Sequence, residues 1–425
     1  MKCLYLFLQL LLWSFLSVAQ KAISIRVDGS INPAVAAFIK NTIDEANDEK
    51  AQCLIIHLNT PGGLLKSTRV IVSDIFESNV PVIVYVSPGG AHAGSAGVFI
   101  TMAAHVAAMA PSTNIGAAHP VNLQGGMDST MNTKATNDAA AFIRAIAEKR
   151  NRNVEWAENA VRQSVSITEV QAVEEKVVDL IAQNEQDLLQ RINGRMVEIN
   201  TGSLTLQTSG VEVEQVEMNF IENLLNTISD PNIAYILMML GFYGILFELY
   251  SPGAIAPGVI GGICLILAFY SMHSLPLNYA GLALIIFGII LFILEVKIIS
   301  HGILSIGGAI ALALGSMMLI RRDSTLDFMR ISWGVIIATT IVTALFFFFI
   351  IALAVKGQRK KPMSGTEGII GEIGETLAVL NPSGMVSVHG EIWKAESVSG
   401  SIALGQKVRV TAIKDLTLFV ERVTV

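Results

Sequence analysis

Ser95 is the residue in this chain whose neighbours best suit covalent chemistry. It lies in Ser87-Pro-Gly-Gly-Ala-His-Ala-Gly-Ser-Ala-Gly97, after an apolar run (Val80 to Val86) that reads as a buried strand. The Ala-rich run that follows, Val98 to Ala110, reads as a buried helix passing into a strand. Gly94, Ala96 and Gly97 put no bulk beside the hydroxyl, so a substrate backbone can approach it. A helix opening at the serine offers unpaired N–H groups to a developing oxyanion. Taken alone, the same residues also describe a Gly-rich turn ending in a serine N-cap.

A serine hydroxyl needs a base to become a nucleophile, and two residues are candidates. Lys134 has the uncharged neighbours Thr133, Ala135 and Thr136, and a lysine serves as base only when desolvated and neutral. His119, in Gly116-Ala-Ala-His-Pro120, is the alternative, with Asp179 to orient it in a Ser-His-Asp set. Residue spacing leaves both open. Oxyanion donors are available in the backbone N–H of Gly62 or Gly63, within Asn59-Thr-Pro-Gly-Gly63, and of Ala96.

These residues must be carried by regular elements. Ile23 to Val27, Cys53 to Leu58 and Val80 to Val86 read as strands, separated by helical patterns over Ala34 to Ala46 and Leu64 to Phe76. That order predicts a mainly parallel sheet with helices on its faces and both Gly-rich turns at one carboxyl edge. Gln124 to Thr136 reads as an aperiodic polar loop before a helix over Asp138 to Arg150. Further on, Val177 to Ile181 reads as a strand, Arg195 to Leu206 shows β-alternation, and Phe220 to Ile228 is an amphipathic helix.

Of the 425 residues, 52% are hydrophobic and only 15% charged, and the apolar excess is uneven. Met1 to Ala19 has the form of a secretory signal peptide cleaved after Ala19, which would put the next domain outside the cytoplasmic membrane. Five apolar stretches, 233–250, 254–272, 278–295, 301–320 and 331–355, read as membrane spans. The basic run from Lys356 to Lys361 then places the C-terminus in the cytoplasm. Glu248 leading to Gly261-Gly262 resembles Glu295 leading to Gly307-Gly308, which suggests two related helix hairpins. Gly368 to Val425 reads as about five short strands, a small all-β barrel of the OB type. With Trp393 as its one evident stacking residue and a net charge of −6 on the chain, a protein partner is expected and nucleic acid is not. Cys3, Cys53 and Cys264 give no disulfide or metal-ligand spacing, so neither a metal nor another cofactor is expected.

Asn59-Thr-Pro-Gly-Gly63, Tyr85 to Gly97, and Ala108-Met-Ala-Pro-Ser-Thr-Asn-Ile-Gly-Ala-Ala-His-Pro120, in that order, resemble the NfeD family. These are membrane-bound serine proteases of the Clp protease and signal peptide peptidase A superfamily. The resemblance covers nearly the whole chain. It implies an α/β protease domain of crotonase-like ββα spiral over 20–229, a transmembrane domain over 230–356 and an OB-fold-like domain over 357–425. It also implies a Ser-Lys dyad, with Ser95 as nucleophile, Lys134 in Asn132-Thr-Lys-Ala-Thr-Asn137 as general base, and Gly62, Gly63 and Ala96 as oxyanion hole. The implied substrate is an apolar segment of a stomatin- or flotillin-like membrane protein, and the implied assembly a homodimer or larger. His119 and Asp179 fall where the Clp protease keeps its histidine and aspartate. The contrasting function is a membrane scaffold for stomatin-like proteins whose protease domain is vestigial.

Overall fold

The computed structural model describes residues 21–120, 129–250, 253, 255–272, 277–298, 302–320, 331–358 and 366–423. The signal-peptide expectation for Met1 to Ala19 lies outside them. The N-terminal part runs β1 (Lys21–Asp28), α1 (Pro33–Asp48), β2 (Leu54–Asn59), α2 (Leu65–Glu77), β3 (Val82–Val86), β4 (His92–Ala93), α3 (Ala96–Ala103), β5 (Val106–Met109) and β6 (Asn114–Gly116). It continues through α4 (Ser129–Lys149), α5 (Val154–Arg162), β7 (Ser166–Thr168), α6 (Glu169–Glu174), β8 (Leu180–Ile181) and α7 (Glu185–Ile192). The hairpin β9 (Met196–Ile199) and β10 (Gly202–Thr205), then β11 (Glu212–Gln215) and α8 (Phe220–Ile228), complete it.

Six strands form one sheet in the order β11-β1-β2-β3-β5-β8, every pair parallel. The continuous apolar runs of its central strands follow from burial on both faces. Alternate residues of one strand serve different cores. Leu54, Ile56 and Leu58 meet Phe38 and Ile39 of α1, Ile71 of α2 and the helices α3 to α5. Cys53 and Ile55 face Leu188, Leu189 and Ile192 of α7 instead. A second small sheet, β4-β6-β7, stands at the carboxyl edge and joins β2 through a bridge between Thr60 and Ala93.

Five apolar helices follow among the described residues: α9 (Pro231–Tyr250), α10 (Ala256–Met272), α11 (Tyr279–Lys297), α12 (Ile303–Leu319) and α13 (Trp333–Gln358). Glycines set their closest approaches. A Cβ on Gly261 would lie 2.8 Å from the Gly241 carbonyl oxygen, and one on Gly288 would lie 2.8 Å from that of Gly308. Small residues at helix crossings let backbones meet where lipid offers no hydrophobic drive.

The contacts divide the chain into two units, one ending at Ile290 but taking in Gly307–Ile341, the other holding Leu291–Ile306 and the chain from Val342 on. The second unit contains α14 (Thr366–Ile369) and a closed barrel of β12 (Ile373–Thr376), β13 (Ser383–Val388), β14 (Glu391–Ser397), β15 (Lys407–Lys414) and β16 (Thr417–Arg422). Val386, Val388, Ala395, Val408, Val410, Leu418 and Val420 fill it. About five strands were expected and five occur, after Gly368 and Ile369 end a short helix. The turn into β14 is His389-Gly390, both residues at positive φ, a hairpin turn without the usual Asn-Gly signature.

Candidate active site

Beyond β3 the chain crosses Ser87 to Ala91, forms the two residues of β4, and turns at Gly94 into Ser95, the N-cap of α3. Ser95 has φ 47° and ψ −107°. Such a left-handed setting costs a non-glycine residue about 1–3 kcal/mol and persists only where the surroundings impose it. They do so here. The Ser95 N–H donates to the Ala117 carbonyl at 2.7 Å, and the N–H groups of Gly97 and Val98 return to the carbonyls of Gly94 and Ser95. Ala96 to Ala103 is buried throughout, so Ser95 is the one residue between Ala93 and Ala103 that reaches solvent.

The second Gly-rich turn is fastened to the first by Thr60, which is fully buried. Its backbone N–H donates to the His92 carbonyl at 2.8 Å, and its carbonyl accepts from the Gly94 N–H at 2.9 Å. Gly62 lies against the serine itself. A Cβ there would fall 2.6 Å from Ser95 Cβ and 3.1 Å from its Oγ, and the φ of +132° excludes most other residues independently. Ile31 donates to the Gly62 carbonyl and accepts from the Leu64 N–H. The Gly62 N–H is occupied by Thr60 Oγ1 at 3.0 Å. Among the described residues, the N–H groups of Gly63 and Ala96 are left without a partner.

Lys134 is on a helix, not in a loop. The expected aperiodic stretch to Thr136 is overtaken by α4 from Ser129 onward, and residues 124–128 lie outside the described residues. The first turns of α4 are exposed and carry no apolar period, while Ala139, Ala140, Ile143 and Ile146 bury its later turns. The Lys134 side chain is exposed and makes no hydrogen bond to Ser95. Its acidic neighbour Asp138 is paired with Arg69 at 2.7 Å, and that guanidinium also stands over the Phe142 ring.

His119 and Asp179 are not brought together. His119 Nδ1 donates to the Val161 carbonyl at 2.8 Å. One Asp179 oxygen accepts from the Ala107 N–H at 2.7 Å and from Arg152 at 2.8 Å, and the other from Arg195 at 2.5 Å. Arg152 is buried and reaches the carbonyls of Thr101, Ala104 and Val177 as well. Asp179 thereby braces α3 and β5. Cys53 offers no competing nucleophile, since burial pushes its thiol up to about 12.

Two groups at this edge were missed in the sequence. The His92 ring packs on Gly94, where an added Cβ would lie 2.2 Å from Nε2, and its buried Nδ1 has no partner among the described residues. On the opposite face of the sheet, His57 bonds Ser87 Oγ through Nδ1 and Glu185 through Nε2, both at 2.7 Å, and Ser24 also donates to Glu185. The bond from His57 holds the Glu185 carboxyl below its ordinary range. Ser87 is buried, so this array joins the ends of β2 and β3 to α7 without offering its hydroxyl to a substrate. No cluster of His, Cys, Asp and Glu suited to a metal ion occurs among the described residues.

Three family profiles match consecutive parts of the chain. They are described as the NfeD1b N-terminal domain (residues 21–227), the NfeD integral membrane domain (232–353) and the NfeD-like C-terminal, partner-binding domain (366–422). Membrane-bound protease PH1510 of Pyrococcus horikoshii is 36% identical over 389 residues, covering 89% of this chain and 88% of the relative. Membrane protein NfeD1b of Bacillus subtilis is 28% identical over 424 residues, covering 94% and 92%. Among solved structures, the 1510-N membrane protease specific for a stomatin homolog from Pyrococcus horikoshii aligns at 31% identity and a TM-score of 0.44, over 50% of this chain and 99% of that one.

Proposed function

The chain belongs to the NfeD family and carries its serine-protease domain, and from that premise we propose that Ser95 and Lys134 form the catalytic dyad of a membrane-anchored endopeptidase. Ser95 Oγ attacks the scissile carbonyl while neutral Lys134 takes its proton and then hands it to the leaving amine. The N–H groups of Gly63 and Ala96 receive the oxyanion, and water repeats the sequence on the acyl-enzyme. The observation that carries this reading is the strained, partly open Ser95 at the mouth of a buried helix, with Gly62 packed on its Cβ. Because Lys134 is exposed, this reading requires the first turns of α4 to move onto Ser95 when substrate arrives. The substrate is an apolar segment of a stomatin- or flotillin-like protein, the protease domain lies outside the cytoplasmic membrane, the barrel lies in the cytoplasm, and the assembly is a dimer or larger. These four points rest on the family resemblance and the sequence pattern.

The full chain in detergent, given an apolar peptide, should cleave it. Ser95→Ala and Lys134→Ala should each lower kcat/KM by about a thousandfold or more. Equal cleavage by the parent and Ser95→Ala would overturn the dyad. The exposure of Lys134 favours one other reading, a scaffold with a vestigial site, which predicts partner capture with no cleavage by any form.

A further inference from the structure

Helix α8 carries an apolar face that the protease domain leaves uncovered. Phe220 is 82% exposed, Ile221 65% and Leu224 43%, all on one side of a nine-residue helix whose start is fixed by a capping box between Asn219 and Glu222. The other side is committed. Asn32 Nδ2 donates to Asn226 and Asn41 Nδ2 to Glu222, each at 2.8 Å, while on the apolar side only Ile228, one turn beyond Leu224, is buried. Only Ser229 and Asp230 separate α8 from α9, and α8 packs against both α9 and α10. It therefore stands at the mouth of the first apolar hairpin, continuous with the surface that meets lipid. We infer that this face of α8 lies in the bilayer interface, as a short helix seated among headgroups and upper acyl chains. The helix has no lysine or arginine, and its one carboxylate is bonded to Asn41, so the seating is apolar and not a matter of anionic lipid.

Such a seat bears on the site. Asn32 is the N-cap of α1, and its chain neighbour Ile31 holds the Gly62 carbonyl and the Leu64 N–H. The membrane-facing helix and the turn packed on Ser95 are thus joined through two consecutive residues, which fixes the height of the site above the bilayer. The inference stands on the family's membrane domain and does not depend on Ser95 being active.

The test uses the full chain in phosphatidylcholine vesicles, with Phe220→Trp and Leu224→Trp each compared with the parent chain. Both added tryptophans should emit to the blue and be quenched by lipids brominated high on the acyl chain, unchanged when lipid is added in excess or an anionic lipid is mixed in. Two results would overturn the inference. Open quenching by aqueous acrylamide would show the face in water. Lipid quenching that appears only as protein is diluted in lipid would show a second copy covering it. Two separate positions guard against one substitution disturbing the helix.

Discussion

At the scale of single residues the site is built by exclusion. Gly62 is glycine because Ser95 occupies the space a side chain would need, and because φ is +132°. Gly62→Ala should therefore displace the serine or its turn, and a shift of about 1 Å at a reacting group can cost about 100-fold. Peptide cleavage should fall by that order, with a far smaller change in thermal unfolding than a core cavity gives. Asp179 makes the opposite case. With Arg152 buried beneath it, Asp179→Ala leaves an unpaired charge and should cost about 3–5 kcal/mol of stability. Turnover per folded molecule should survive, and His119→Ala should cleave at close to the parental rate. A loss of turnover in both, with stability intact, would restore the histidine and aspartate as base and orienter. The legible residues were those whose requirement is local. Small residues around Ser95 and the paired glycines at 62 and 63 advertise themselves over a few positions. Thr60 clamping two turns, or His57 bridging Ser87 and Glu185, depends on partners far along the chain that no spacing reveals.

At the scale of elements, the strands were readable because burial on both faces makes them apolar throughout. The start of α4 was not, since its exposed turns have no apolar period and the helix is fixed by its later residues. The two glutamates of the suggested repeat each contact the start of the helix that follows. Glu295 accepts from the N–H groups of Gly302 and Ser305 at 3.0 Å, closing the α11–α12 connection, and Glu248 packs its Cβ and Cγ on Gly258 at the start of α10. The turn between α3 and β5 holds an acid-sensitive element. His105 Nδ1 accepts from the Val82 N–H at 3.0 Å, and burial, aided by Arg150, pushes its imidazole down to about 3. The neutral ring is the folded form. Its contribution is complete above the unfolded value near 6.5 and is lost progressively as pH falls toward 3. Between those limits stability should drop by about 1.4 kcal/mol per pH unit from this residue. His105→Asn, which keeps an acceptor for Val82, should show a flatter dependence of unfolding temperature on pH between those values. An unchanged slope would remove His105 as its source.

At the scale of the molecule, three kinds of structure follow one another along the chain: an α/β domain on a six-stranded parallel sheet, apolar helices and a closed five-stranded barrel. The α/β domain has its own two-sided core and the barrel its own, so neither needs the other to fold. That independence allows recognition to be separated from chemistry. The barrel matches a domain described as partner-binding, while the proposed dyad lies wholly in the first domain. A chain ending at Gln358 should then cleave a short apolar peptide with kcat/KM within about twofold of the full chain, since the peptide needs only the Ser95 edge. Against an intact stomatin-like protein in the same vesicles it should be slower by a factor that disappears at saturating partner, the mark of lost binding energy without lost chemistry. A fall in kcat on the peptide itself would mean that the barrel acts on the active site, and would overturn this separation of recognition from chemistry.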